Sequence, residues 1–197
     1  MTVEIFGKPS SRARRPLWVA RELGIPVENI VPEPAELKGP AYRAINPNGR
    51  VPALRDGEFK LFESFAIGLY LAKKYGLGTL YPEGAEDEAL VWQWTLWALN
   101  EVERLLVTCL MERVVKPADA RDAAAADAAE QALAAPLTVL QGALDRAEWL
   151  VGSGFSIADL NVAAIMALAR PARVDLAPYP SVARWLERCL SRPTYPV

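Results

Sequence analysis

The sequence predicts an α/β unit over residues 1–76 followed by an all-α unit over residues 87–197, with residues 77–86 as the linker. Three observations carry that division. Short strand signals alternate with helical periodicity only before about residue 80. Gly76 stops the last helix of that part, and a stretch containing Tyr81-Pro82 follows it. Beyond the stretch, apolar residues recur at helical spacing and strand signals vanish.

Within the first unit, Thr2 to Phe6 reads as a strand, Leu17 to Leu23 as a helix stopped by Gly24-Ile25-Pro26, and Asn29 to Val31 as a second strand. A polar, proline-containing stretch leads to Asn46-Pro47-Asn48-Gly49, two turn dipeptides that reverse the chain before an extended segment begins at Arg50. Pro52 stands where a strand starts and cannot donate to a ladder, and its ring holds Val51 extended. If the Val51-Pro52 bond is cis, the main chain of Val51 turns outward unpaired and can hold an extended peptide as a short added strand; otherwise the run is an ordinary turn. Ala53-Leu54-Arg55 and Lys60-Leu61-Phe62 flank Asp56-Gly57, a hairpin signal, and Phe65 to Tyr75 closes the unit as a helix. The order βαβ then ββα is that of a thioredoxin-like domain, and spacing alone also permits other small α/β sandwiches.

In the second unit, Glu86 to Lys116 carries Leu90, Trp94, Trp97, Leu105 and Cys109 at helical spacing. Ala123 to Ala147 reads as an alanine-rich helix interrupted by Pro136. Ser156-Ile157-Ala158-Asp159 opens a third helix running to about Ala169, with Ser156 as N-cap and Asp159 as the acid of a capping box. That Ser-Asp pair is a structural device and not a catalytic one.

Composition narrows the chemistry. The formal net charge of −2 gives no electrostatic case for nucleic acid. No apolar run reaches the roughly 18 residues that span a bilayer, and no secretory leader is expected. Cys109 and Cys189 stand alone inside helical patterns rather than at metal or redox spacing, so a reducing cytoplasm is the expected setting and no metal site is expected. There is no histidine, which excludes any triad, zinc site or proton shuttle that needs imidazole.

Two motifs carry a resemblance. The run Asn46-Pro47-Asn48-Gly49-Arg50-Val51-Pro52-Ala53-Leu54, and Glu63-Ser64 in front of an apolar helix, are similar to those of the glutathione transferases. The phrase Phe155-Ser156-Ile157-Ala158-Asp159-Leu160 and the ending Tyr179-Pro180-Ser181-Val182, Trp185 and Arg192-Pro193 fit the same family, so the resemblance covers nearly the whole chain. It implies a serine-type, bacterial, theta- or phi-like member that is a cytoplasmic homodimer using glutathione as co-substrate. The implied reaction is attack of glutathione thiolate on a small hydrophobic electrophile, by conjugation, dehalogenation or peroxide reduction. A non-catalytic glutathione-binding or protein-interaction module of the same fold is the alternative.

The thiol of glutathione has an unperturbed pKa of about 8.5, so only a small fraction is thiolate at neutral pH. Lowering that pKa by two units takes about 2.7 kcal/mol, and one hydrogen bond to the anion supplies roughly 1.5–3 kcal/mol. In serine-type members the donor hydroxyl lies fourteen positions before the residue that ends the first helix, and counting from Gly24 gives Ser10 with Ser11 as the alternative. Pro16 departs from the family pattern and moves the expected helix start to Arg12 or Ala13. Arg12, Arg14 and Arg15 crowd the positive end of that helix, which suits a nearby anion. For the rest of the tripeptide the resemblance implies Ser64 and Glu63 at the γ-glutamyl end, Val51 and Pro52 along the main chain, and Arg50 and Lys38 at the glycine carboxylate. The second substrate is expected between the domains against Trp97, Glu101, Arg104, Leu105 and Cys109.

Overall fold

The computed structural model describes residues 2–195. It divides into two compact units, one running up to Glu83 and joined by the segment from Pro193, the other spanning Gly84–Arg192.

The first unit is a four-stranded mixed sheet of order β2-β1-β3-β4, with β1 Val3–Phe6, β2 Val27–Ile30, β3 Ala53–Asp56 and β4 Phe59–Phe62. β1 and β2 are parallel, and β3 runs antiparallel to both β1 and β4. Alternation along β1 sets the two faces of the sheet. Val3 and Ile5, with Leu54 opposite Ile5, are buried on one face. On the other face Phe6 joins Tyr42 and Ala53 in a cluster, against which Ile30, Leu37, Ile45 and Val51 pack. Helix α1 (Arg14–Glu22) packs on α3 (Ser64–Tyr75), and a short helix α2 (Pro40–Arg43), preceded by a 3₁₀ turn at Glu36–Lys38, occupies the polar, proline-containing stretch before the Asn-Pro turn, for which the sequence predicts no helix.

Helix α1 starts at Arg14, beyond the expected Arg12 or Ala13. Lys8 to Ala13 are occupied by turns in which Ser11 N donates to Lys8 O at 2.9 Å and Arg14 N to Ser11 O at 3.0 Å. Pro16 therefore falls in the first helical turn, where its missing N–H has no intrahelical partner to lose.

Part of the tail belongs to this unit, although the sequence assigned all of it to the helical one. Tyr195 lies edge-on to Trp18 at 4.9 Å and its hydroxyl receives Arg14 Nη1 at 3.3 Å, while Thr194 bonds Glu22.

The second unit is helical among its described residues. Ala85–Val115 is one continuous helical run: α4 (Ala85–Trp97) and α5 (Arg104–Leu110) are joined and followed by π-helical turns at Ala98–Glu103 and Met111–Val115. Helix α6 (Ala123–Leu144) passes straight through Pro136, against the expected interruption. The carbonyl that Pro136 leaves unbonded belongs to Ala132, which is exposed, so water can satisfy it while the proline ring is buried. Helix α7 (Ile157–Met166) is the buried helix, and α8 (Pro180–Leu190) closes the unit. Ser156 and Asp159 form the expected capping box. Asp159, fully buried, also accepts from Leu150 N at 3.0 Å and Trp185 Nε1 at 2.9 Å, which ties the start of α7 to α8.

Candidate active site

Gly7 sits where β1 gives way to the turn before α1, with φ +136°, a conformation that favours glycine. A β-carbon there would lie 2.8 Å from Ala13 Cβ, 3.1 Å from Val51 Cβ and 3.5 Å from Ser11 Oγ. Ser11 and Val51 therefore converge on one small patch at the end of β1. Ser11 Oγ donates to Lys8 O at 2.7 Å and accepts from Ala13 N at 3.1 Å. Ser10, the residue selected by counting from Gly24, is exposed on the same turn, and its hydroxyl makes no hydrogen bond among the described residues.

The Asn46–Pro52 run forms the next wall. Asn48-Gly49 makes the expected turn: Gly49 has φ +61°, and a β-carbon there would lie 2.8 Å from Leu37 O. This close approach lays the turn against the 3₁₀ segment ending at Lys38, so Lys38 and Arg50, both exposed, flank the same crossing. The Val51-Pro52 peptide is cis. Val51 is half-buried and Pro52 buried at the mouth of β3.

Glu63 and Ser64 link β4 to α3. Glu63, exposed, is the N-cap with φ 74° and ψ 119°, a left-handed backbone that is an outlier for a residue with a β-carbon. That twist makes Ser64 the first helical residue and buries its side chain. Ser64 Oγ accepts from Arg15 Nη1 at 3.1 Å, and the Arg15 guanidinium lies 4.4 Å from the Phe65 ring centroid. Arg15 is 6% exposed, unlike Arg50 and Lys38. In the sequence Arg15 is one of three neighbouring arginines at the helix start with nothing to distinguish it. Only the packing of α1 on α3 separates it from Arg14, which reaches back to Pro9 O at 3.4 Å and to Tyr195.

Because Arg15 donates to Ser64 Oγ, the serine's own proton is left as a donor, and Ser64 stands in the first turn of α3, whose amides have no intrahelical acceptor. An anion of carboxylate size suits that arrangement. The unit thus presents a hydroxyl at the end of β1, the half-buried main chain of Val51, the helix start at Ser64 and cationic side chains at Lys38 and Arg50.

In the second unit, the residues expected to line a second-substrate pocket do not share one environment. Trp97 is half-buried edge-on to Trp94 at 5.1 Å, Leu105 is half-buried, and Glu101 and Arg104 are exposed. Cys109 corrects the expectation. It is fully buried, its thiol lies 3.6 Å from Ala126 O on α6, and burial pushes its pKa up. Helical spacing placed it on the same face as Leu105, but the packing of α5 on α6 turns that position into core. Among the described residues no group of His, Cys, Asp or Glu is arranged to hold a metal ion, and no helix is long and apolar enough to cross a membrane.

Family models for the glutathione S-transferase N-terminal domain and C-terminal domain match residues 1–73 and 103–193. Glutathione S-transferase GstB of Escherichia coli (strain K12) is 31% identical over 196 residues, covering 97% of this chain and 94% of that protein. Glutathione S-transferase 3 of Zea mays is 34% identical over 205 residues, covering 98% of this chain and 91% of that one. Among solved structures, the theta class glutathione S-transferase from the citrus canker pathogen Xanthomonas axonopodis pv. citri with glutathione bound superposes with a TM-score of 0.90 at 31% identity, covering 98% of this chain and 95% of that chain. With its thioredoxin-like first unit, its all-helical second unit and relatives of this similarity along almost its whole length, the chain belongs to the glutathione transferase family.

Proposed function

We propose that the protein is a glutathione transferase that binds glutathione on its first unit, holds the thiol as thiolate and delivers it to a small hydrophobic electrophile. The observation that carries the reading is the convergence of Ser11 Oγ and Val51 on Gly7. It favours Ser11 as the thiolate donor, with Ser10 the alternative. The Ser11 hydroxyl now bonds a neutral carbonyl, and exchanging that acceptor for a thiolate makes the bond charge-assisted and roughly twice as strong. The Ala13 N–H on its oxygen polarises the hydroxyl further as a donor. Such a bond supplies about 1.5–3 kcal/mol, enough to lower the thiol pKa by one to two units. The serine acts as a donor and not as a base.

In this reading the γ-glutamyl carboxylate meets Ser64 and the start of α3, Glu63 faces the ammonium, the Val51 main chain pairs with the cysteinyl residue, and Arg50 with Lys38 meets the glycine carboxylate. Trp97 and Leu105, with Glu101 and Arg104 at the edge, are the surface we assign to the electrophile. We also propose a homodimer. Trp92, Leu96 and Leu99 are 44%, 49% and 41% exposed at helical spacing, an apolar stripe that a second copy would cover. Two buried free thiols suit a reducing compartment such as the cytoplasm.

The test is the ultraviolet absorbance of bound glutathione thiolate between about pH 5 and 9, on wild type, Ser10→Ala and Ser11→Ala. A thiol pKa well below about 8.5 in wild type, restored by Ser11→Ala, is the expected result. Restoration by Ser10→Ala instead would move the role to Ser10. Glutathione binding with no pKa shift would make the chain a binding module.

A further inference from the structure

Two buried side chains grip the carbonyl oxygen of Arg50. Tyr42 Oη donates to it at 2.8 Å and Asn46 Nδ2 at 2.6 Å, so both lone pairs are engaged. Neither donor is free to wander. Tyr42 is 6% exposed with its ring edge-on to Phe6 at 5.8 Å. Asn46 is 3% exposed, and its Oδ1 accepts from Asn48 N at 3.0 Å and Asn48 Nδ2 at 3.1 Å, which fixes the direction in which its amide N–H points. Burial pushes the Tyr42 phenol up to about 12, so it remains a protonated donor across the neutral range.

The consequence lies on the other side of the same peptide group. A peptide is planar, and in a trans peptide the C=O and N–H point in opposite directions. The Arg50-Val51 peptide is trans, since Val51-Pro52 is the one cis bond among the described residues. Drawing the Arg50 carbonyl inward to Tyr42 and Asn46 therefore turns the Val51 N–H outward. Among the described residues that N–H has no acceptor within the chain.

We propose that Tyr42 and Asn46 are positioning residues that fix the Arg50-Val51 peptide plane and so aim the Val51 N–H at the cysteinyl carbonyl of glutathione. The proposal rests on the glutathione reading above and adds to it a device that acts through the main chain and touches no ligand. Binding an extended peptide through one main-chain donor depends on that donor being held in direction before the ligand arrives. Two converging side-chain donors do this where a lone turn would let the plane tilt.

Tyr42→Phe keeps the ring and its contact with Phe6 while removing one donor. The expected result is a glutathione Kd raised about three- to ten-fold, with kcat at saturating glutathione and the thiol pKa of bound glutathione unchanged. Asn46→Asp keeps the acceptor for Asn48 but sets a carboxylate oxygen against the Arg50 carbonyl, and raises Kd further. In ¹⁵N-labelled protein the Val51 amide proton moves downfield on adding S-methylglutathione, and moves less in Tyr42→Phe. Binding by Tyr42→Phe as tight as wild type, or a change in kcat or thiol pKa with Kd unchanged, overturns the clamp while the glutathione reading stands. A wild-type chain that binds no glutathione overturns both.

Discussion

Replacing Arg15 by methionine separates two roles that a buried guanidinium can have. Its side chain donates to Ser64 Oγ at 3.1 Å and lies 4.4 Å from the Phe65 ring centroid. A hydrogen bond from a charged donor contributes about 1.5–3 kcal/mol, and a desolvated cation–π contact about 2 kcal/mol. Burying the guanidinium opposes these with a penalty of several kcal/mol. The terms nearly cancel, so Arg15→Met, apolar and of comparable length, should leave the melting temperature within about 4 °C of wild type, equivalent to ~1 kcal/mol in a chain of this size. Binding should respond differently. A carboxylate hydrogen-bonded to Ser64 Oγ would lie within roughly 6 Å of the Arg15 charge. At that separation and an effective dielectric of about 20 the attraction is ~2.8 kcal/mol. Its loss raises the glutathione Kd about 100-fold. Isothermal titration calorimetry with glutathione at low salt reads the affinity, and scanning calorimetry reads the stability. A melting temperature lowered by more than about 10 °C with an unchanged Kd would show Arg15 to be purely structural.

Three further outcomes are expected. Ser156→Ala removes a cap that is part of a buried network and should lower stability by about 1–2 kcal/mol in urea unfolding, without moving the thiol pKa of bound glutathione. Gly49→Ala meets both a positive φ and the Leu37 carbonyl at 2.8 Å, so it should destabilise by more than about 1 kcal/mol and weaken glutathione binding, because the displaced turn carries Arg50. The Arg55 hydrogen bond holds the Glu4 carboxyl below its ordinary value of 4.5. A depressed folded-state pKa means stability that is present above 4.5 and lost as pH falls through the folded value. With Arg55 well exposed the contribution should stay under about 1 kcal/mol. Melting curves from pH 6 to pH 3 should therefore show a smaller decline in Arg55→Met than in wild type, and an equal decline would discount the pair.

Much of the fold was written in local signals. Asp56-Gly57 between two apolar runs specifies a hairpin whatever surrounds it, because the turn needs the positive φ that Gly57 supplies. Ser156 and Asp159 specify a helix start for a similar reason, since both partners of the box lie within one turn. Asn48-Gly49 and Val51-Pro52 mark the loop because their backbone preferences are intrinsic to those residues. Pro136 misled because a helix-breaking preference is only a local term, and burial of α6 outweighs it where water can reach the freed carbonyl.

Local signals carried the two-unit division, the strands and the helices α1 and α3 of the first unit, the turn before Val51 and the Glu63-Ser64 helix start, since each depends on residues within a few positions of one another, whereas the short helix α2 carried no such signal. Packing between distant elements puts Arg15 rather than Arg14 against Ser64, brings Ser11 Oγ and Val51 to the same glycine, and makes Cys109 core. It also decided that the Arg50 carbonyl is gripped by Tyr42. The physical reason is the same in each case. Neighbouring residues on a turn or helix differ in direction by a rotation about the chain, and which direction faces a partner is fixed only when a second element packs against it.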